Sequence, residues 1–240
     1  MSDSLIPSSY ICFFRHGERL DHVNCDAHWH DKAERPYDSP IVNHDLVENQ
    51  AMKLKKYKFT RIVSSPLRRC IQTSKILSET LGIHHIEINN SIAEISSISL
   101  RSYHKSTKSR IHFIGREEIL HELEREDIHL EQRGKEPPQN ERYWDGMWRY
   151  RVALSNIKKR YQNENVIIVT HGAAFLTVGE LTTSKHLNYS TKSSAFIIVD
   201  SASKLISSSL VSSISIPIIS SLLIMLWVFI REIIDIILLL

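Results

Sequence analysis

Cysteine is scarce in this chain of 240 residues: it has three, Cys12, Cys25 and Cys70, and no two stand in a CxxC spacing. An odd count without ligand spacing argues against a disulfide framework and for reduced thiols in a cytosolic compartment. A surplus of one charge is also missing. Lys and Arg number 30 against 27 Asp and Glu, a net +3, so the balance gives no footprint for nucleic acid. No internal repeat is found. The opening residues, MSDSLIPSSYICFF, have no basic stretch ahead of a short apolar run, so no signal peptide is expected.

Charge vanishes altogether from Leu205 to Ile230, "LISSSLVSSISIPIISSLLIMLWVFI". A membrane-spanning helix needs roughly 20 mostly apolar residues, so the tail 205–240 is expected to be a possible membrane anchor appended to a domain over 1–204. Its many serines and Pro217 leave two alternatives open: a last strand and helix of the globular core, or a tail that is simply unusual. The length otherwise suits one substantial α/β domain.

Elements follow one another in a regular order. "YICFF" (10–14) has the look of a buried strand. A polar loop with several histidines runs from about Leu20 to Pro40, then a helix over Leu46–Tyr57 and a strand over 60–65. "SPLRRCIQTSKILSETLG" predicts a helix that Ser65 caps, with Pro66 in its first turn and Gly82 as its stop. "HHIEI" (84–88) predicts a strand. The pattern is then lost from Ile95 to Arg142, where the charged stretch 116–136 is expected to form a solvated helical cap. Met147, Tyr150, Leu154, Ile157 and Tyr161 mark an amphipathic helix. "NVIIV" (165–169) and "AFIIV" (195–199) are strands, with a helix starting at "AAFL". Alternating strands and helices predict a three-layer α/β/α domain around a mostly parallel sheet.

Three segments share one grammar: a strand, a polar or basic cluster, then a helix. They are "FFRHGER", "IVSSPLRR" and "VIIVTHGAA". In a parallel α/β sheet, ligands bind beyond the carboxyl ends of the strands. Arg15, His16, Arg19, Arg69 and His171 can therefore meet in one crevice, with the helix after Ser65 adding its N-terminal dipole. Guanidinium groups grip the oxygens of a phosphate in pairs. A neutral imidazole is a nucleophile once its other nitrogen is held, and a neighbouring glycine lets backbone come close.

"RHGER", "SSPLRRCIQT" and "VTHGAA", in that order, resemble the histidine phosphatase superfamily, whose fold is phosphoglycerate-mutase-like. The nearest branch in resemblance is that of the suppressor-of-T-cell-receptor-signalling and ecdysteroid-phosphate phosphatases, where an arginine also follows the RHGE. The resemblance covers roughly residues 8–200. It implies that His16 is the nucleophile that becomes phosphohistidine and that Arg15, Arg19, Arg69 and His171 bind the phosphoryl group. It implies too that Glu94 of "SIAEIS" protonates the leaving group and then activates water. No metal or cofactor is implied. Expected partners are a phosphorylated small molecule or a phosphoprotein, from a domain facing the cytosol.

The chain departs from the family where "IVNHDLVENQA" lacks a glycine. It also lacks the Trp-Asn pair and the ERHYG-like motif of the mutase branch, which favours hydrolysis over isomerisation. A phosphoglycerate-type mutase and an inactive, membrane-tethered phosphate binder are the alternatives. His22, Cys25, His28 and His30 could ligate zinc, but their spacing matches no closed site, and the family has an entrance loop there. Tyr143, Trp144, Trp148 and Tyr150 could line an aryl-phosphate pocket or belong to the core. Arg68 is expected to face solvent.

Overall fold

The computed structural model describes residues 9–23, 35, 37–95, 111, 113–139, 141–181, 193–200 and 204–209. The chain runs β1 (Tyr10–Arg15), β2 (Glu18–Arg19), α1 (Leu20–Val23), β3 (Ile41–Val42), α2 (His44–Leu54) and β4 (Arg61–Ser64). It continues with α3 (Arg68–Leu81), β5 (His85–Asn89), α4 (Arg116–Leu123), β6 (His129–Arg133) and α5 (Tyr143–Arg160). Last come β7 (Val166–Thr170), α6 (Gly172–Leu181), β8 (Phe196–Asp200) and β9 (Leu205–Ser208).

Among the described residues these strands make a seven-stranded sheet in the order β6-β5-β4-β7-β1-β8-β9. Pairing is parallel from β6 to β1; β8 runs antiparallel to both β1 and β9. Both faces of the central strands are apolar, as strands covered on both sides require. Cys12, Phe14, Ile62, Ile86, Ile88, Ile167 and Val169 share one core cluster with Val47 of α2, Ile71 and Leu77 of α3 and Ile119 of α4. The alternate residues Ile11, Phe13, Val63 and Ile168 are equally buried and point to the other face. There α5 and α6 pack side by side. Each fully buried Ile or Phe contributes about 1.5–3 kcal/mol.

The helix expected over 46–57 is α2 followed by a 3-10 turn, Lys55–Tyr57, and Lys58 at φ 49 ends it. α3 begins at Arg68, two residues after Pro66, and Ser65 does not cap it. Ser65 is still in the ladder, its N–H donating to Val169 O at 3.0 Å. The first N–H of the helix, on Arg68, donates instead to Asp38 Oδ2 at 2.9 Å. The cap therefore comes from the loop between α1 and β3.

The stretch 116–136 does not form a cap over the site: it extends the sheet and one helical layer. Ile119 and Leu123 bury α4 against the core shared with α3, and Leu130 of β6 joins them. β6 (HLEQR) buries only that one residue, so its sequence carries no apolar alternation. Charge on an edge strand also deters pairing with other chains.

The sheet runs past the boundary expected at 204. β9 pairs with β8, and Ser209 N–H donates to Phe196 O at 3.0 Å. Five residues of the charge-free run thus take the core-strand alternative. The anchor expected in the rest of the tail, 210–240, lies outside the described residues. Among the described residues no helix is long and apolar enough to cross a membrane.

Candidate active site

The strand order places the ends of β4, β7 and β1 side by side, with Arg15 opposite Thr170 and Ser64 opposite Val169. The three motifs therefore open on one edge of the sheet. His16 leaves β1 with its backbone fixed at both ends: its N–H donates to Thr170 O at 3.1 Å and its carbonyl accepts from Ser194 N–H at 3.1 Å. Its side chain is held as well. Nδ1 lies 2.8 Å from Gly17 O; a carbonyl only accepts, so Nδ1 carries the proton and Nε2 keeps a lone pair. Burial, then the charges of Arg69 and Arg15, push the His16 pKa well below the ordinary histidine value, so the ring is a neutral base.

Gly17 itself sits where a side chain would be crowded by β3 and α2. A Cβ there would sit 3.0 Å from Val47 Cγ2 and 3.1 Å from Ile41 Cδ1. Its N–H donates to Thr73 Oγ1 at 2.9 Å, and that hydroxyl donates to Arg69 O at 2.7 Å. Thr73 thereby ties the first motif to the second.

Arg69, in the first turn of α3, is 1% exposed. Nη1 donates to Tyr37 O at 3.2 Å and lies 3.4 Å from Asp38 Oδ1; Nη2 donates to His171 Nδ1 at 3.2 Å. Its Nε is buried with no hydrogen-bond acceptor among the described residues. His171, just past β7, is fully buried. Arginine can only donate, so His171 Nδ1 accepts and Nε2–H donates to Ser65 Oγ at 2.7 Å. Burial, Arg69 and His16 push its pKa well down too. The two imidazole centroids are 5.3 Å apart.

Glu94 follows β5 and the 3-10 turn Asn90–Ile92. Its Oε2 lies 3.6 Å from His171 Nδ1 and 4.0 Å from Arg69 Nη2. Burial pushes its pKa above the ordinary carboxyl value despite the pull of Arg69, and its side chain keeps 12% exposure. It is a carboxyl suited to carrying a proton to something in the crevice. Asp38, buried beside Arg69, is pushed up in the same way. Arg15 and Arg19 bear on the site through charge, since both lower the pKa of His16, His171 and Glu94. Arg19 is also forked onto Asp21.

His16, Arg69, Glu94 and His171 thus come together as expected, with Arg15 and Arg19 near enough to act on them through charge. Sequence reasoning missed Tyr37, Asp38, Ser65 and Thr73. Asp38 is hidden in a polar loop, and Ser65 stands in the sequence where a cap would, a role that Asp38 fills. Cys70 Sγ lies 3.6 Å from His171 Nε2, but burial pushes its thiol well up, so it stays protonated. Arg68 pairs with Glu122 at 2.7 Å with its side chain 43% exposed, facing outward as expected.

The four aromatics do not line one pocket: Tyr150 is buried, whereas Trp144 and Trp148 are 47% and 63% exposed. Among the described residues no group of three His, Cys, Asp or Glu could hold a metal ion. Cys25, His28 and His30 lie outside those residues.

Comparison of structures finds the same fold in several solved proteins. The ecdysone phosphate phosphatase of Bombix mori, solved with tungstate, matches with a TM-score of 0.59 at 13% identity, covering 87% of this chain and 96% of that one. The YhfR protein of Bacillus stearothermophilus gives 0.51 at 22% identity, over 86% and 98% of the two chains. The phosphoglycerate mutase of Bacillus anthracis gives 0.51 at 15% identity, over 83% and 91%. Comparison with curated proteins by sequence finds no match. The family model of the histidine phosphatase superfamily (branch 1) matches residues 11–188. With that match over most of its length, the chain belongs to the histidine phosphatase superfamily.

Proposed function

We propose that this protein is a phosphomonoesterase that works through a phosphohistidine on His16 and needs no metal. The observation that carries the reading is the His16 ring: neutral, with Nδ1 held by Gly17 O and bordered by arginines. His16 Nε2 attacks phosphorus as the ester P–O bond breaks, and the Glu94 carboxyl passes its proton to the departing oxygen. Water then attacks the phosphoryl group, the P–N bond breaks, and the Glu94 carboxylate takes the water's proton. Inorganic phosphate leaves and the starting state is restored. Arg15, Arg19 and Arg69 hold the phosphoryl oxygens, with Arg69 Nε–H, which has no acceptor among the described residues, as one donor. His171 joins them by turning its Nε2–H from Ser65 Oγ to a phosphoryl oxygen. Positioning and charge carry most of such a transfer.

The substrate is a phosphorylated small molecule or a phosphoprotein. Phosphatases and a mutase share the fold, so the reaction must be measured. The test uses the full chain with EDTA present. Wild type should hydrolyse p-nitrophenyl phosphate and give acid-labile phosphate on quenched protein. His16→Asn should lose both, by about 10⁴-fold or more in turnover. Phosphoryl transfer between positions of a sugar acid would favour the mutase reading; binding of phosphate without turnover would favour an inactive binder. Beyond β9, the uncharged run 210–230 is still long enough to anchor the domain on the cytosolic side of a membrane. Resistance to alkaline extraction from membranes checks that.

A further inference from the structure

The segment that carries Glu94 has left β5 and has no strand ladder to hold it. α5 holds it instead. Arg149 Nη1 donates to Ser91 O at 2.9 Å and to Ala93 O at 3.0 Å. The rest of the same guanidinium is locked: Nε and Nη2 donate to the two oxygens of Glu141, each at 2.7 Å. The pair is enclosed, with side-chain exposures of 14% for Arg149 and 2% for Glu141.

The approach of helix to loop is close enough to require Gly146. A Cβ there would lie 2.6 Å from Ile95 Cγ1 and 2.9 Å from Glu141 Oε2. Thr170 Oγ1 adds a long bond, 3.4 Å, to Ile92 O. The carbonyls of residues 91, 92 and 93 are therefore all bound from α5 or the end of β7, and Ile95 is packed against α5. Glu94 stands between these fixed points.

We propose that Arg149, locked by Glu141, is a positioning residue that sets the 91–95 segment so that the Glu94 carboxyl faces the reacting oxygen. The inference rests on the reading of Glu94 as proton donor. A planar guanidinium spans two carbonyls and a carboxylate at once; an ammonium on a flexible stem does not. A misplacement of about 1 Å in a catalytic group costs about 10²-fold in rate.

The test compares two substrates with the full chain. Phenyl phosphate has a poor leaving group and needs the proton; 2,4-dinitrophenyl phosphate does not. For Arg149→Lys, kcat/KM on phenyl phosphate should fall about 10²-fold while that on dinitrophenyl phosphate stays within about 3-fold. Glu94→Gln should show the same selectivity, and the double variant should lose little more than Glu94→Gln alone. An equal loss on both substrates, or a loss that adds fully to that of Glu94→Gln, would overturn the proposal. Glu141→Gln frees the lock while keeping its shape and carries the same test if Arg149→Lys does not fold. Wild type that forms no phosphoenzyme would sink the phosphatase reading itself. Wild type that forms it, with Arg149→Lys unchanged in selectivity, would sink only the positioning role.

Discussion

At the β5–β6 edge, the fully buried Glu87 carboxylate is met from every side. Arg160 Nη1 donates at 2.9 Å, Tyr161 OH at 2.6 Å and Asn89 Nδ2 at 2.8 Å, and Arg133 Nε lies 3.2 Å away. At the ends of β1, β4 and β7 the balance is reversed. Arg69 is as deeply buried, but its neighbours Asp38 and Glu94 are pushed toward their neutral forms, both imidazoles are neutral, and Nε–H has no acceptor among the described residues. The Glu87 network is closed and joins strands to the end of α5. In the other, the phosphoryl group of the proposed reaction would meet the remaining donor. Burial and charge are common to both, so they do not mark a functional site. They differ in the Arg69 Nε–H, the donor that the proposed function uses.

Four experiments bear on this contrast. The largest effect is expected from Arg69→Lys, which should lower kcat/KM for a phosphate ester about 10²- to 10³-fold, about 3–4 kcal/mol of transition-state binding. Tungstate affinity, read by calorimetry, should fall with it; an unchanged affinity would mean that the guanidinium is structural, like Glu87's partners. Glu87→Gln should do the opposite, costing about 3 kcal/mol of stability in urea unfolding while the pH profile of turnover stays put. That figure sits at the low end for a broken buried pair because Arg160 and Arg133 keep 37% and 48% side-chain exposure and can rehydrate.

Acid should separate the networks next. His16 and His171 have folded pKa values below the 6.5 of the unfolded chain, so the unfolded state takes up protons first as pH falls. Stability is full above about pH 6.5 and is lost below it, by up to about 1.4 kcal/mol per unit for each histidine until its folded pKa is reached. Melting temperature from pH 8 to 5 should drop less steeply in His16→Asn and His171→Asn than in wild type. The smallest effect belongs to Ser65→Ala. It removes one acceptor from His171 and should cost about 1 kcal/mol, with activity lowered far less than in Arg69→Lys.

Legibility in the sequence followed the same division. β1, β4 and β7 are short apolar runs ending in polar clusters, so the sheet and its functional edge could be read, and His16, Arg69 and His171 with them. Glu94 has no such local mark, and only the resemblance to a family points to it. What could not be read depends on partners far along the chain. Asp38 caps a helix 30 residues on, Ser65 serves a histidine 106 residues on, and β6 is held by pairing with β5 rather than by its own pattern. Nor does anything in "YWDGMWRY" announce that Arg149 faces inward while Trp148 faces out.

β9 carries a consequence for handling the protein. Among the described residues its one strand neighbour is β8, whose residues Phe196–Val199 are all buried, and β8 in turn lies against β1. The turn ahead of β8 supplies Ser194 N–H to His16 O, and Ala195 O accepts Arg15 N–H. A chain cut at Lys204 would strip that cover and leave "FIIV" as an open, uncharged template for a second chain. Such a fragment should self-associate through β8 and loosen the backbone on either side of His16. A shortened version of the chain should therefore keep the residues through Ser209.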